Sequence, residues 1–188
     1  MKRLITIITL MSTLMLFAGP GQAVKSKFRL GYSKRQVWQT EGKPNYKAPL
    51  YYSYSNRSIS GMAASKTYYF YKNKVFMVLF TIQTSSNGNS CLNNFLKIND
   101  RLIKKYGTFE KAINWKNDYL KNDSKQYGKA ILYGYLTIQY DKAIGNGISI
   151  IHKIGAEKYV AQHYLFYVDT VLQAKYLKAK KDKESKEL

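Results

Sequence analysis

At 188 residues the chain has the size of one compact domain, or of two small ones sharing a core, and a hydrophobic fraction of 45% is enough to bury that core. Its 31 Lys and Arg against 11 Asp and Glu give a net charge of +20, a field that attracts polyanions and repels other cations. The single cysteine, Cys91, excludes an intramolecular disulfide, and two histidines without a Cys or carboxylate at ligand spacing exclude a zinc motif.

The chain opens with Lys2 and Arg3, then uncharged residues from Leu4 to Ala18, then Gly-Pro-Gly-Gln-Ala. A charged start, a short apolar core and a small-x-Ala end are the parts of a secretory signal peptide, with cleavage expected after Ala23. The apolar run is shorter than the ~20 residues a bilayer-spanning helix needs. Residues 1–23 are therefore read as a leader, and the product as periplasmic or secreted. Its 29 cations and 11 acids leave it at +18.

Val24 to Leu30 reads as a short basic strand or arm. Ser33 and Gln36 then form a Ser-x-x-Gln capping box ahead of a short helix, stopped by Gly42 and Pro44. Three strands follow, at 50–54, 64–71 and 75–84. Lys72-Asn73-Lys74 forms a hairpin tip between the last two. The third is apolar on one face (Phe76, Val78, Phe80, Ile82) and moderately so on the other (Met77, Leu79, Thr81), which predicts a central strand.

After a polar loop at 85–90, apolar residues from Leu92 to Tyr106 recur at three- and four-residue steps, predicting a helix interrupted by Asn99 and capped by Gly107. Phe109, Ile113 and Trp115 could anchor a short element before a polar stretch. Three more strands are expected. One carries Leu132, Leu136 and Ile138 on one face. The next carries Ile148 and Ile150 after the Gly145-Asn146-Gly147 turn. The last carries Val160, Tyr164, Phe166 and Val168 after a turn near Gly155. Thr170 and Gln173 repeat the capping-box pattern ahead of a Lys-rich final helix.

The expected fold class is α+β: two similar halves, each a helix plus a three-stranded antiparallel sheet, with a C-terminal Lys-rich helix. The boundaries are 24–89, 90–170 and 171–188. The segment Phe28-Arg29-Leu30-Gly31-Tyr32-Ser33-Lys34-Arg35-Gln36-Val37, ending in Gly42-Lys43-Pro44, resembles the start of the small lipoprotein of the β-barrel assembly machinery. The tandem order of helix and strands is similar to that of the secreted β-lactamase inhibitor protein. The resemblance implies a fold family of exported bacterial envelope proteins and a binding style rather than an activity.

No catalytic set is legible, and no cofactor is expected. Each histidine reads as a packed or strand-surface residue. A hydrolase using Cys91 and a histidine is the competing reading. If the chain is not such an enzyme, Cys91, His152 and His163 should lie more than ~7 Å from one another, since nucleophile and base need hydrogen-bond reach. The 18 tyrosines exceed what a core needs. With the apolar strand faces turned inward, Tyr133, Tyr135, Tyr159, His163 and Tyr167 would share an outward face suited to binding. The alternative is that a helix or the other half covers that face. The function expected is a non-enzymatic, exported binding module of the cell envelope. Its partner would be an envelope protein or an anionic envelope polymer, with peripheral membrane contact compatible with the charge and no specific nucleic acid. A secreted basic inhibitor of an acidic protein is the runner-up.

Overall fold

A computed structural model describes residues 20–83 and 86–185. Most of the expected leader lies outside them. The first described element is helix α1 (Pro20–Lys27). Val24 to Leu30 is therefore no strand: it is the end of α1 and the turn after it, and Val24, Phe28 and Leu30 are buried. Helix α2 (Lys34–Glu41) starts on the expected box. The Ser33 Oγ accepts from the Gln36 amide at 3.3 Å, and the Gln36 Oε1 accepts from the Ser33 amide at 2.9 Å. Gly42 ends the helix at φ 82°, a conformation that favours glycine.

Strands β1 (Tyr46–Lys47), β2 (Tyr51–Ile59), β3 (Met62–Tyr71) and β4 (Lys74–Gln83) form an antiparallel meander. Lys72 and Asn73 make the β3–β4 turn with positive φ at both positions, the backbone a tight two-residue hairpin requires. Helix α3 (Gly88–Tyr106) buries Cys91, Phe95, Ile98, Asn99 and Leu102. Asn99 thus belongs to the buried stripe, whereas Leu96 is exposed.

The short element expected around Phe109, Ile113 and Trp115 is a strand, β5 (Glu110–Trp115), followed by two short 3₁₀ turns and helix α4 (Tyr127–Leu132). Leu132 ends this helix, so the strand expected to carry Leu132, Leu136 and Ile138 starts only at Leu136, as β6 (Leu136–Ala143). Strands β7 (Ile148–Glu157) and β8 (Val160–Asp169) complete a second meander. Their hairpin turns at Lys158 and Tyr159, both at positive φ, rather than at Gly155, which lies inside β7. Helix α5 (Thr170–Glu184) is capped by Asp169, whose Oδ1 accepts from the Leu172 amide at 3.0 Å. The Thr170 hydroxyl instead donates to the Gly147 carbonyl, so no Thr170–Gln173 box forms.

The class is α+β, but the two three-stranded sheets are corrected to one sheet of eight antiparallel strands in the order β1-β2-β3-β4-β8-β7-β6-β5. Each meander contributes four strands. They join where β4 pairs with β8, from Met77 opposite Val168 to Gln83 opposite Gln162. Strand β4 is central, as its two apolar faces require.

Strand parity sorts the side chains. Val78, Phe80 and Ile82 of β4, His163, Leu165 and Tyr167 of β8, and Ile150, His152 and Ile154 of β7 all point inward and are buried. Helices α2, α3 and α4 contribute Val37, Phe95, Ile98, Ala130 and Ile131 to the same core. Residues from both meanders pack in one cluster, and each fully buried large side chain contributes roughly 1.5–3 kcal/mol. Helices α3 and α4 meet backbone to backbone at Gly88 and Gly128, where a Cβ on either glycine would collide with the other's chain.

An ionic cluster fastens α2 to the first meander. Glu41 accepts from Lys66 Nζ at 2.8 Å and from the Tyr68 hydroxyl at 2.5 Å, with Arg29 at 3.2 Å and Arg57 at 3.7 Å. Burial alone would raise the Glu41 carboxyl. The hydrogen bonds from Lys66 and Tyr68, with the positive field of Lys66 and Arg29, outweigh it and hold the group below its ordinary value. Lys66 moves down because burial outweighs its attraction to Glu41. Burial and the Glu41 bond push the Tyr68 phenol far up, so it stays a neutral donor.

Candidate functional site

The four helices and turns of the core lie against the inner face, while residues of opposite parity line an outer face that remains half-exposed. Cross-strand register sets its rungs. Tyr51 faces Tyr69, which faces Met77. Ser53, Thr67, Leu79, Phe166 and Ile151 form the next rung, and Ser65, Thr81, Tyr164 and Lys153 the one beyond. Met77, Leu79, Phe166 and Ile151 are all partly accessible, so an apolar band runs across the middle of the sheet.

At one end this band becomes an aromatic ladder. Ring centroids step from Tyr46 to Tyr51 at 5.6 Å, Tyr51 to Tyr69 at 5.6 Å and Tyr69 to Phe76 at 6.4 Å. Phe76, at the β3–β4 bulge, stacks on Tyr176 of α5 at 5.0 Å, and Tyr176 meets Tyr71 at 5.9 Å. Tyr46 is 57% exposed on the two-residue edge strand. Aromatic pairs at these separations add about 0.5–1.5 kcal/mol each beyond their burial.

Three phenols of this face, Tyr51, Tyr69 and Tyr164, are held in the neutral form. Hydrogen bonding to Tyr46, then burial, raises Tyr51. Burial raises Tyr69, and burial with the Glu157 charge raises Tyr164. Cations flank them. Lys72 and Lys74 at the β3–β4 turn and Lys175 and Lys178 on α5, with the carboxylate of Asp182 among them, line a concavity of about 580 Å³ beside Tyr71. Helix α5 has no buried residue, so it rests on the face as a basic rim.

The five residues expected on one outward face divide into two groups. Tyr133, Tyr135 and Tyr159 do come together, with Tyr133 5.6 Å from Tyr135 and 6.2 Å from Tyr159. They sit on no strand face. Tyr133 and Tyr135 follow α4 in a turn through Gly134, and Tyr159 caps the β7–β8 hairpin at 71% exposed. His163 and Tyr167 are corrected outright: they point into the core. Tyr167 stacks on Phe28 with centroids 3.5 Å apart. Both faces of β8 carry aromatics, so alternation alone could not tell which one faces inward. The residues missed, Tyr46, Tyr51, Tyr69, Phe76 and Phe166, had one available signal: the tyrosines of β2 and β3 occupy both parities, which is what a sheet with an aromatic outer face requires.

Cys91, His152 and His163 are all fully buried. The histidines, expected more than ~7 Å apart on the non-enzymatic reading, have ring centroids 5.7 Å apart. His152 stacks on Phe95 at 4.2 Å, and neither imidazole has a hydrogen-bond partner among the described residues. Burial pushes His163 down to about 4, and burial with the His163 field pushes His152 well below its ordinary value. Both are therefore neutral at neutral pH. Among the described residues no group of three His, Cys, Asp or Glu could hold a metal ion, and no helix is long and apolar enough to cross a membrane.

No protein-family model matches the chain, and no curated protein or solved structure matches it significantly. The likeness of the 28–44 segment to envelope proteins rests on its residues alone.

Proposed function

We propose that this protein is an exported, non-enzymatic binding module of the bacterial cell envelope, and that it docks a protein partner on the outer face of its sheet. The observation that carries this reading is the accessible ladder Tyr46-Tyr51-Tyr69, continued by Leu79 and Phe166, on a face that α5 covers at its Phe76 end. Tyrosines offer large contact area at low conformational-entropy cost, and their neutral hydroxyls can satisfy polar groups of the partner. The Lys72, Lys74, Lys175 and Lys178 flank selects a partner surface rich in carboxylates and speeds its encounter. The leader pattern in residues 1–23 supports an envelope location.

The test is a matched set of surface variants used as bait on envelope extract. A partner retained by the unaltered protein and by Tyr133→Ser, but lost by Tyr69→Ser with Phe166→Ser, supports docking on the outer face. Circular dichroism must stay unchanged. If the Tyr133→Ser bait loses the partner and the outer-face variant keeps it, the docking surface is assigned to the wrong end of the sheet. Sequencing of the mature N-terminus checks export, and an envelope fraction still beginning at Met1 would contradict it.

A further inference from the structure

On the opposite face of the sheet a second site lies between α1, α3 and the β2–β3 hairpin, and it is independent of the docking surface. It is a cavity of about 340 Å³, within the roughly 300–1,000 Å³ range of small-molecule sites. Its floor is a three-ring cage. Phe28 stacks on Tyr167 at 16° between planes, and Phe80 stands edge-on to both at 6.0 and 6.4 Å. Ile98 and Leu102 of α3 form one wall, and Ile59 of the hairpin the other.

The mouth has a different character. Lys27, Arg101 and Lys105 line it, and among the described residues no carboxylate does. Arg101 and Lys105 lie one turn apart on α3, and Arg101 Nη1 donates to the Ser60 carbonyl at 3.3 Å, tying the helix to the hairpin tip across the opening. Burial pushes both the Tyr106 and Tyr167 phenols up, so they remain neutral donors within the cavity. Three cations that make no ion pair among the described residues, at the mouth of an apolar cage, form a site with two ends of different chemistry. Neither end alone explains the other.

We propose that this cavity binds a single-chain amphiphile, its hydrocarbon tail on the Phe28–Phe80–Tyr167 cage and its anionic head at Arg101, Lys105 and Lys27. A guanidinium beside two ammonium groups suits a carboxylate or a phosphate head, since both accept charge-assisted hydrogen bonds. The apolar floor supplies affinity, and the mouth selects against neutral and cationic heads.

Calorimetric titration of the purified chain with dodecanoate, dodecyl phosphate and dodecanol, each below its aggregation limit, tests the assignment. At least one anionic probe binds, and dodecanol binds about tenfold more weakly or worse, the equivalent of one lost charge-assisted contact. A preference for dodecanoate indicates a free fatty acid, and one for dodecyl phosphate a lysophospholipid-type head. Arg101→Gln with Lys105→Gln, both on the exposed side of α3, lowers affinity for the anions about tenfold and leaves dodecanol unchanged. Leu102→Trp fills the cavity and removes all three. Failure of both anions to bind, equal binding of dodecanol, or undiminished anion binding in the Arg101/Lys105 variant overturns the proposal.

Discussion

Acid should loosen this fold, because two histidines are buried without hydrogen-bond partners among the described residues. His163 falls from an ordinary 6.5 to about 4 in the folded chain. Between those values the unfolded chain binds a proton that the folded chain refuses, so stability drops as pH falls through this window. Integrating that linkage from about pH 7 to about pH 5 gives a loss of about 2 kcal/mol from His163 alone. His152, pushed down by burial and by His163, adds in the same direction. Glu41 stays ionised over this range because it is held below its ordinary value. Urea unfolding at several pH values measures the effect. The expected result is a monotonic loss exceeding about 2 kcal/mol, of which His163→Phe removes about 2 kcal/mol by keeping the ring and deleting the titrating group. A stability that is flat from about pH 7 to about pH 5, or an unchanged slope in His163→Phe, would mean that His163 does not carry the pH dependence.

Three further outcomes follow from the packing and charge. Gly128→Ala should destabilise by about 1–3 kcal/mol, because its Cβ meets the backbone of Gly88 and Asn89. Helix propensity alone predicts a gain of about 1 kcal/mol, so the sign of the change in Tm separates the two effects. Glu41→Gln should cost about 3 kcal/mol in denaturant unfolding by stranding Lys66 and Arg29, and adding Lys66→Met should recover part of it. Neutralising Lys178, Lys180, Lys181 and Lys183 on α5 should lower the association rate with an acidic partner and flatten its salt dependence, with little change in dissociation, as measured by surface plasmon resonance.

Local rules were legible wherever neighbours in sequence settle the structure. Ser33 and Gln36 are three residues apart and satisfy each other's amides, so the α2 start needs no distant partner. The same holds for the stops at Gly42 and Gly107, each at positive φ, and for the turns at Lys72-Asn73 and Gly145-Asn146-Gly147, where consecutive residues take positive φ. Strand β4 announced its central place because it is apolar on both faces.

Tertiary structure decided what short-range pattern cannot carry. Glu110 to Trp115 has no alternation of its own and is a strand because β6 offers it hydrogen bonds. Leu132 joins a helix instead of a strand because the α3–α4 contact at Gly88 and Gly128 holds that segment against the core. The phase of β8 was undecidable in sequence, since His163 and Tyr167 alternate with Tyr164 and Phe166 and each set could be the buried one. Pairing with β4 and β7 turned His163 and Tyr167 inward and left Phe166 and Tyr164 outward. Composition and periodicity thus determined that the protein builds antiparallel strands with aromatic faces. Which aromatics remain accessible depended on which strands met, because a one-residue change of phase moves every side chain to the other face.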